Sequence, residues 1–187
     1  MIWLSNSTLA RLRDQLRTQG QRASIVADPN VTADNAELVQ LRAEYGLLTE
    51  AMHLMMSADG TITKDEREVL KGALRNLSSD AIRSAHIDVL LDEAEKAVAE
   101  QGRDARMNDV VASLKDDKAR AEVVFVLAAA IAFADSAIAD EENDTLNAMA
   151  EGLGIDEARA NELLDEVEAD LASQQKPPPV SGEIEKA

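Results

Sequence analysis

The residues best suited to chemistry in this chain are carboxylates written twice on one frame. Ala58-Asp59-Gly60-Thr61-Ile62-Thr63-Lys64-Asp65-Glu66 returns 76 residues later as Ala134-Asp135-Ser136-Ala137-Ile138-Ala139-Asp140-Glu141-Glu142. Asp59 with Glu66, and Asp135 with Glu142, put two hard oxygen donors on each bend, the ligand type that takes a divalent cation. Asp65, Glu68, Asp140, Glu141 and Asp144 stand beside them as lesser candidates. The plainer alternative is that each Asp caps a turn while each Glu satisfies a helix N-terminus and its dipole. For any one residue that alternative is the better reading; for the four together the two readings balance.

The spacing Asp-Gly-x-Ile-x-x-x-Glu equals the second half of an EF-hand loop, in which Gly bends the chain, Ile anchors it and Glu chelates. In that register the first two ligand positions fall on Met55 and Ser57, and on Ile131 and Phe133 in the second copy. Met, Ile and Phe do not ligate a hard cation, so a working calcium loop of that kind is not expected. Glu50-Ala51-Met52-His53 has the spacing that di-iron bundles use on one helix face, but such a site needs the motif twice. The repeat mate of His53 is Ala129, and Arg83 lies three residues before His86. Both histidines therefore read as structural. The chain has no Cys and no phosphate-cradling Gly loop, so a non-enzymatic protein without organic cofactor is expected.

The elements that must hold these carboxylates are helices, since no stretch alternates with period two. A short Arg-rich helix runs from Ser7 or Thr8 to about Thr18, and a polar stretch around Asp28-Pro29-Asn30 reads as a linker. Leu38, Leu41, Tyr45, Leu48, Met52 and Met55 recur at steps of three and four and mark a helix from near Asn35 to the first bend. Thr63 and Glu66 form a capping box for the next helix, which buries Val69, Leu70, Ala73, Leu74 and Leu77. Ser78-Ser79-Asp80 is read as opening another, through Val98, and Gly102 as a break before a short helix at Met107–Leu114. Val123–Ala134 is apolar on all sides and should be the most buried helix. Leu146, Met149 and Leu153 follow the second bend, and Asp156 caps a last helix through Leu171. The expected architecture is all-α, a compact bundle of about seven helices in two pseudo-symmetric helix-turn-helix halves. Its expected limits are 1–34 for the N-terminal helix and linker, 35–172 for the bundle, and 173–187 for a disordered acidic, Pro-rich tail.

Across 58–83 and the segment 76 residues on, eight of 26 positions match, including both turn Asp residues and both Glu residues. A core-only duplication would not require those acids to survive twice. The formal charge is −17, with fifteen acids against Arg159, Lys176 and Lys186 in residues 135–187 alone. Such a surface repels phosphate backbones, so nucleic acid is not an expected partner, whereas cations and basic proteins are. The longest apolar run, 12 residues from Val123, falls well short of the roughly 20 needed for a membrane span. Met1-Ile2-Trp3-Leu4 lacks a signal-peptide leader, so a soluble cytoplasmic protein is expected. Ile2, Trp3 and Leu4 with Arg11, Arg13 and Arg17 read as a helix that folds back over an apolar groove of the bundle.

These residues carry a resemblance. The phrase Ala58-Asp59-Gly60-x-Ile62-x-x-x-Glu66, the stretch Ser84-Ala85-His86-Ile87-Asp88 with Leu90-Leu91, and Ala134-Asp135-x-x-Ile138-x-x-x-Glu142 with Leu153-Gly154-Ile155 together resemble the TerB family of tellurite-resistance domains, over about residues 37–172. The resemblance implies an all-helical fold of two related halves and an acidic site for a divalent metal. It also implies protein partners in stress-response assemblies close to membrane proteins, and hence a location at the inner membrane through those partners. The sequence departs from the family pattern at Ser136, where Gly is usual.

Overall fold

The computed structural model describes residues 4–19, 33–58, 60, 62–133 and 140–175. Among them are eight helices and no strand: α1 (Asn6–Gln19), α2 (Ala33–Met56), α3 (Lys64–Ser78), α4 (Ser84–Gln101), α5 (Arg103–Leu114), α6 (Lys118–Ala132), α7 (Asp140–Gly152) and α8 (Glu157–Gln175). The all-α expectation holds. No described helix is long and apolar enough to cross a membrane.

Local chemistry sets most helix limits. Thr63 caps α3, its hydroxyl accepting from the Glu66 N–H while the Glu66 carboxylate accepts from the Thr63 N–H, which is the capping box read from the sequence. The Asp117 side chain accepts from the Arg120 N–H at the start of α6, and the Asp156 side chain accepts from the Arg159 N–H at the start of α8. Gly102, at φ 86°, separates α4 from α5. One expectation is corrected. Ser78-Ser79-Asp80 does not open a helix; Ser78 ends α3, and Ser79 and Asp80 turn through left-handed conformations at φ 55° and 57°. Ile82 then enters the core, and α4 starts only at Ser84. Ser and Asp favour helix starts and turns for the same reason, a side-chain oxygen near the backbone, and here the turn prevails.

α6 is the central helix. Eleven of its fifteen residues are buried, with Ala128, Ala129, Ala130 and Ala132 fully so. Its small side chains allow close approach of α1, α2, α7 and α8, all of which pack on it. The C-terminal half of α2 shares this burial. Leu48 through Met55 are all buried, including the polar Thr49, Glu50 and His53. The helix read as amphipathic is thus enclosed on every side near the first bend, because α4, α5 and α6 surround it.

The helix limits repeat at the spacing of the sequence repeat. α2 ends at Met56 and α6 at Ala132; α3 starts at Lys64 and α7 at Asp140; both pairs are 76 residues apart. In each half the first helix packs against the two that follow it, α2 on α3 and α4, α6 on α7 and α8, with α5 lying between the halves.

Candidate functional site

Contacts from α5 and α6 set how the helices flanking the two acidic bends lie. Arg120, at the start of α6, donates to the backbone carbonyls of Ala43 and Glu44 in the middle of α2. Arg103, at the start of α5, donates to the Leu54 carbonyl through Nε and Nη2, at 3.3 and 3.2 Å, and through Nη2 to the Thr145 hydroxyl at 2.7 Å. Further along α5, Arg106 reaches Glu50, and Val111 abuts Gly152. α5 therefore runs antiparallel to α2 and alongside α7. α2 and α6 point the same way, and the ends from which both bends leave lie at one end of the bundle. Arg103 joins the last turn of α2 to α7, the helix that follows the second bend.

The carboxylates named from the sequence fare differently. Glu66 is half-buried, and its Oε2 accepts the Thr63 N–H at 2.6 Å. Asp65 is exposed in the same helical turn, and Glu68, also exposed, pairs with Lys71 at 3.0 Å. Glu142 is half-buried in the first turn of α7; Asp140 and Asp144 are exposed there, and Glu141 lies in the same turn. Asp59, Asp135 and Ser136, the linker around Pro29 and the tail beyond Gln175 lie outside the described residues. Among the described residues no three His, Asp or Glu side chains are grouped to hold a metal ion.

The Glu50-x-x-His53 motif is built into the core. Glu50, 7 % exposed, takes both oxygens to Arg106: Oε1 from Nε at 2.5 Å and Oε2 from Nη2 at 2.8 Å. That bond raises the Arg106 pKa, and Asp109 adds to the effect from outside at 2.9 Å. His53 is buried, and its Nδ1 has no hydrogen-bond partner among the described residues. Burial lowers its pKa, and Arg67 pushes the same way, against Glu95 and Glu50. Neither side chain is presented as a ligand. Arg67 itself spans α3 to α4, bonding Asp92 at 2.5 Å, Glu95 at 3.3 Å and the Asp88 carbonyl.

Sequence reasoning missed Arg103, Arg106 and Thr145. The one local signal was the Gly102 break, which places two arginines in the first turns of α5. Their partners lie 42 to 56 residues away in the chain. A linear pattern does not bring such residues together.

A family profile described as tellurite resistance protein TerB matches residues 47–165, from the buried half of α2 into α8 and across both bends. No curated protein and no solved structure matches the chain.

Proposed function

The chain belongs to the TerB family, and from that premise we propose that it is a non-enzymatic docking module whose paired acidic bends take a divalent cation. In this reading the helical surface engages protein partners of a stress-response or membrane-linked assembly, and any membrane association comes through those partners. The observation that supports the reading is Arg103, which ties the last turn of α2, ahead of the first bend, to α7, the helix after the second. Asp59 and Asp135 would supply the ligating carboxylates, with Glu66 and Glu142 in the helix starts behind them. Oxygen donors of this kind suit calcium, magnesium or manganese. Glu50 and His53, the best catalytic candidates by type, are committed to the core, which supports a role without turnover.

Isothermal titration of the full chain with calcium, magnesium, manganese and zinc tests the cation. Binding tighter than millimolar is expected, and it should disappear in Asp59→Asn/Asp135→Asn. No binding in that range, or binding unchanged in the double variant, would remove the cation from the reading. A second reading, a helical adaptor without metal, is favoured by one observation: a Glu66 oxygen already holds the Thr63 N–H. It expects the same double variant to melt lower by an equal amount with and without chelator.

A further inference from the structure

We propose that the trough floored by α3 and α6 and flanked by α8 is a helix-docking surface, with α1 as its tethered resident, and that a basic amphipathic helix of a partner protein takes the same seat. The proposal uses no part of the acidic bends, so the two stand or fall separately.

α1 is attached in two ways. Inward, Leu4, Leu9, Leu12 and Leu16 are all at most 7 % exposed and join the core, with α1 packed on α3 and α6. Leu9, Leu12 and Leu16 stand at steps of three and four, the stripe by which an amphipathic helix lies in a groove. Outward, the Ser5 N–H donates to Asp170 at 2.7 Å and Arg11 pairs with Glu166 at 2.9 Å. The Arg11–Glu166 pair is solvent-exposed, so it sets register and specificity more than strength.

The family match divides these parts. α3 and α6, the floor, lie within residues 47–165, whereas Ser5, Arg11, Glu166 and Asp170 all lie outside it. The floor lies within the family match, and α1 lies wholly outside it. With α1 away, α6 would present apolar side chains to water, so the seat requires a cover.

Charge selects the occupant. The wall of the trough, α8, meets α1 through Glu166 and Asp170, which take Arg11 and the Ser5 N–H, and Glu162, Asp165 and Glu168 add to the acidic charge of the same helix. A second copy of the chain would bring a further −17 to a chain already at −17, which opposes pairing of copies. A partner helix with leucines on one side and arginines on its flank meets the same wall favourably. Residues 20–32 tether α1 to α2 and give it an effective concentration on the order of millimolar, which a partner helix must overcome.

The test keeps every residue present. A protease site is placed within residues 20–32 of the full chain and cut, and a fluorescent peptide of Leu4–Gln19 is titrated in. The expected result is one-to-one exchange with the resident helix while the helical signal and melting temperature of the remainder persist. Peptide carrying Leu12→Glu should bind at least about tenfold more weakly. Glu166→Lys in the chain should weaken the unmodified peptide, and peptide carrying Arg11→Glu should restore it; an unrelated helix with leucines at the same steps and arginines on one flank should compete for the seat, and its failure to compete overturns the partner as occupant. Absence of exchange in folded protein overturns the proposal, as does unfolding of the remainder when α1 leaves. Formation of dimers through exchanged α1 also overturns it, by making a second copy the occupant.

Discussion

Arg106→Met removes the cation from a buried pair and leaves the Glu50 carboxylate facing the core with both oxygens unsatisfied. Glu50 is 7 % exposed, and the Arg106 side chain 18 %, so water reaches neither group freely. Leaving one member of such a pair alone costs about 3–5 kcal/mol, more than the net worth of the pair itself. For a chain of this length each kcal/mol moves the melting temperature by about 2–4 °C, so a fall of roughly 10 °C is expected. Met keeps most of the aliphatic volume of Arg, so the loss reports charge and hydrogen bonds rather than a cavity. Glu50→Leu/Arg106→Met removes both charges and should recover most of the loss. Thermal and urea melts of wild type, both single variants and the double variant supply the cycle. If Arg106→Met melts within 2 °C of wild type, or the double variant is as unstable as Arg106→Met, the pair is not the desolvated contact argued from its geometry.

Three further outcomes are expected. Gly152→Ala would drive a Cβ into Cγ1 of Val111, so it should destabilise by about 1–3 kcal/mol, and Val111→Ala in the same chain should relieve most of that in urea melts. Thr63→Ala removes half of the capping box and should cost about 1 kcal/mol, with faster amide exchange confined to the first turn of α3. Burial depresses the His53 pKa below the ordinary 6.5 in the folded chain. Its contribution is therefore present above that value and declines as pH falls toward the folded pKa, because the unfolded chain takes up the proton first. Melting temperatures measured from pH 7.5 to 5 should fall more steeply for wild type than for His53→Gln, and equal slopes would refute this.

The legible part of this protein was its local grammar. The Thr63–Glu66 box, the Asp156 cap, the Gly102 break and the apolar α6 follow from hydrogen bonds and periodicities that close within three or four residues. The 76-residue repeat also anticipated helix limits, since equivalent bends end equivalent helices. Ser78-Ser79-Asp80 defeated the same grammar because its residues serve a helix start and a left-handed turn equally well. The decision fell to tertiary packing, where Ile82 is buried ahead of α4.

The candidate site divides along the same line. Its carboxylates could be picked out by type and recurrence, and Glu66 could be read both as a ligand and as a cap. Only the folded chain brings the end of α2 beside α7 through Arg103, surrounds the second half of α2, and turns Glu50 from a candidate ligand into the partner of Arg106. A sequence determines by itself what neighbours along the chain can satisfy: turns, caps and the apolar side of each helix. Which distant charge comes to rest beside another depends on how α2, α5 and α7 pack. That packing is decided by the shapes of the buried faces together, and no single segment carries it.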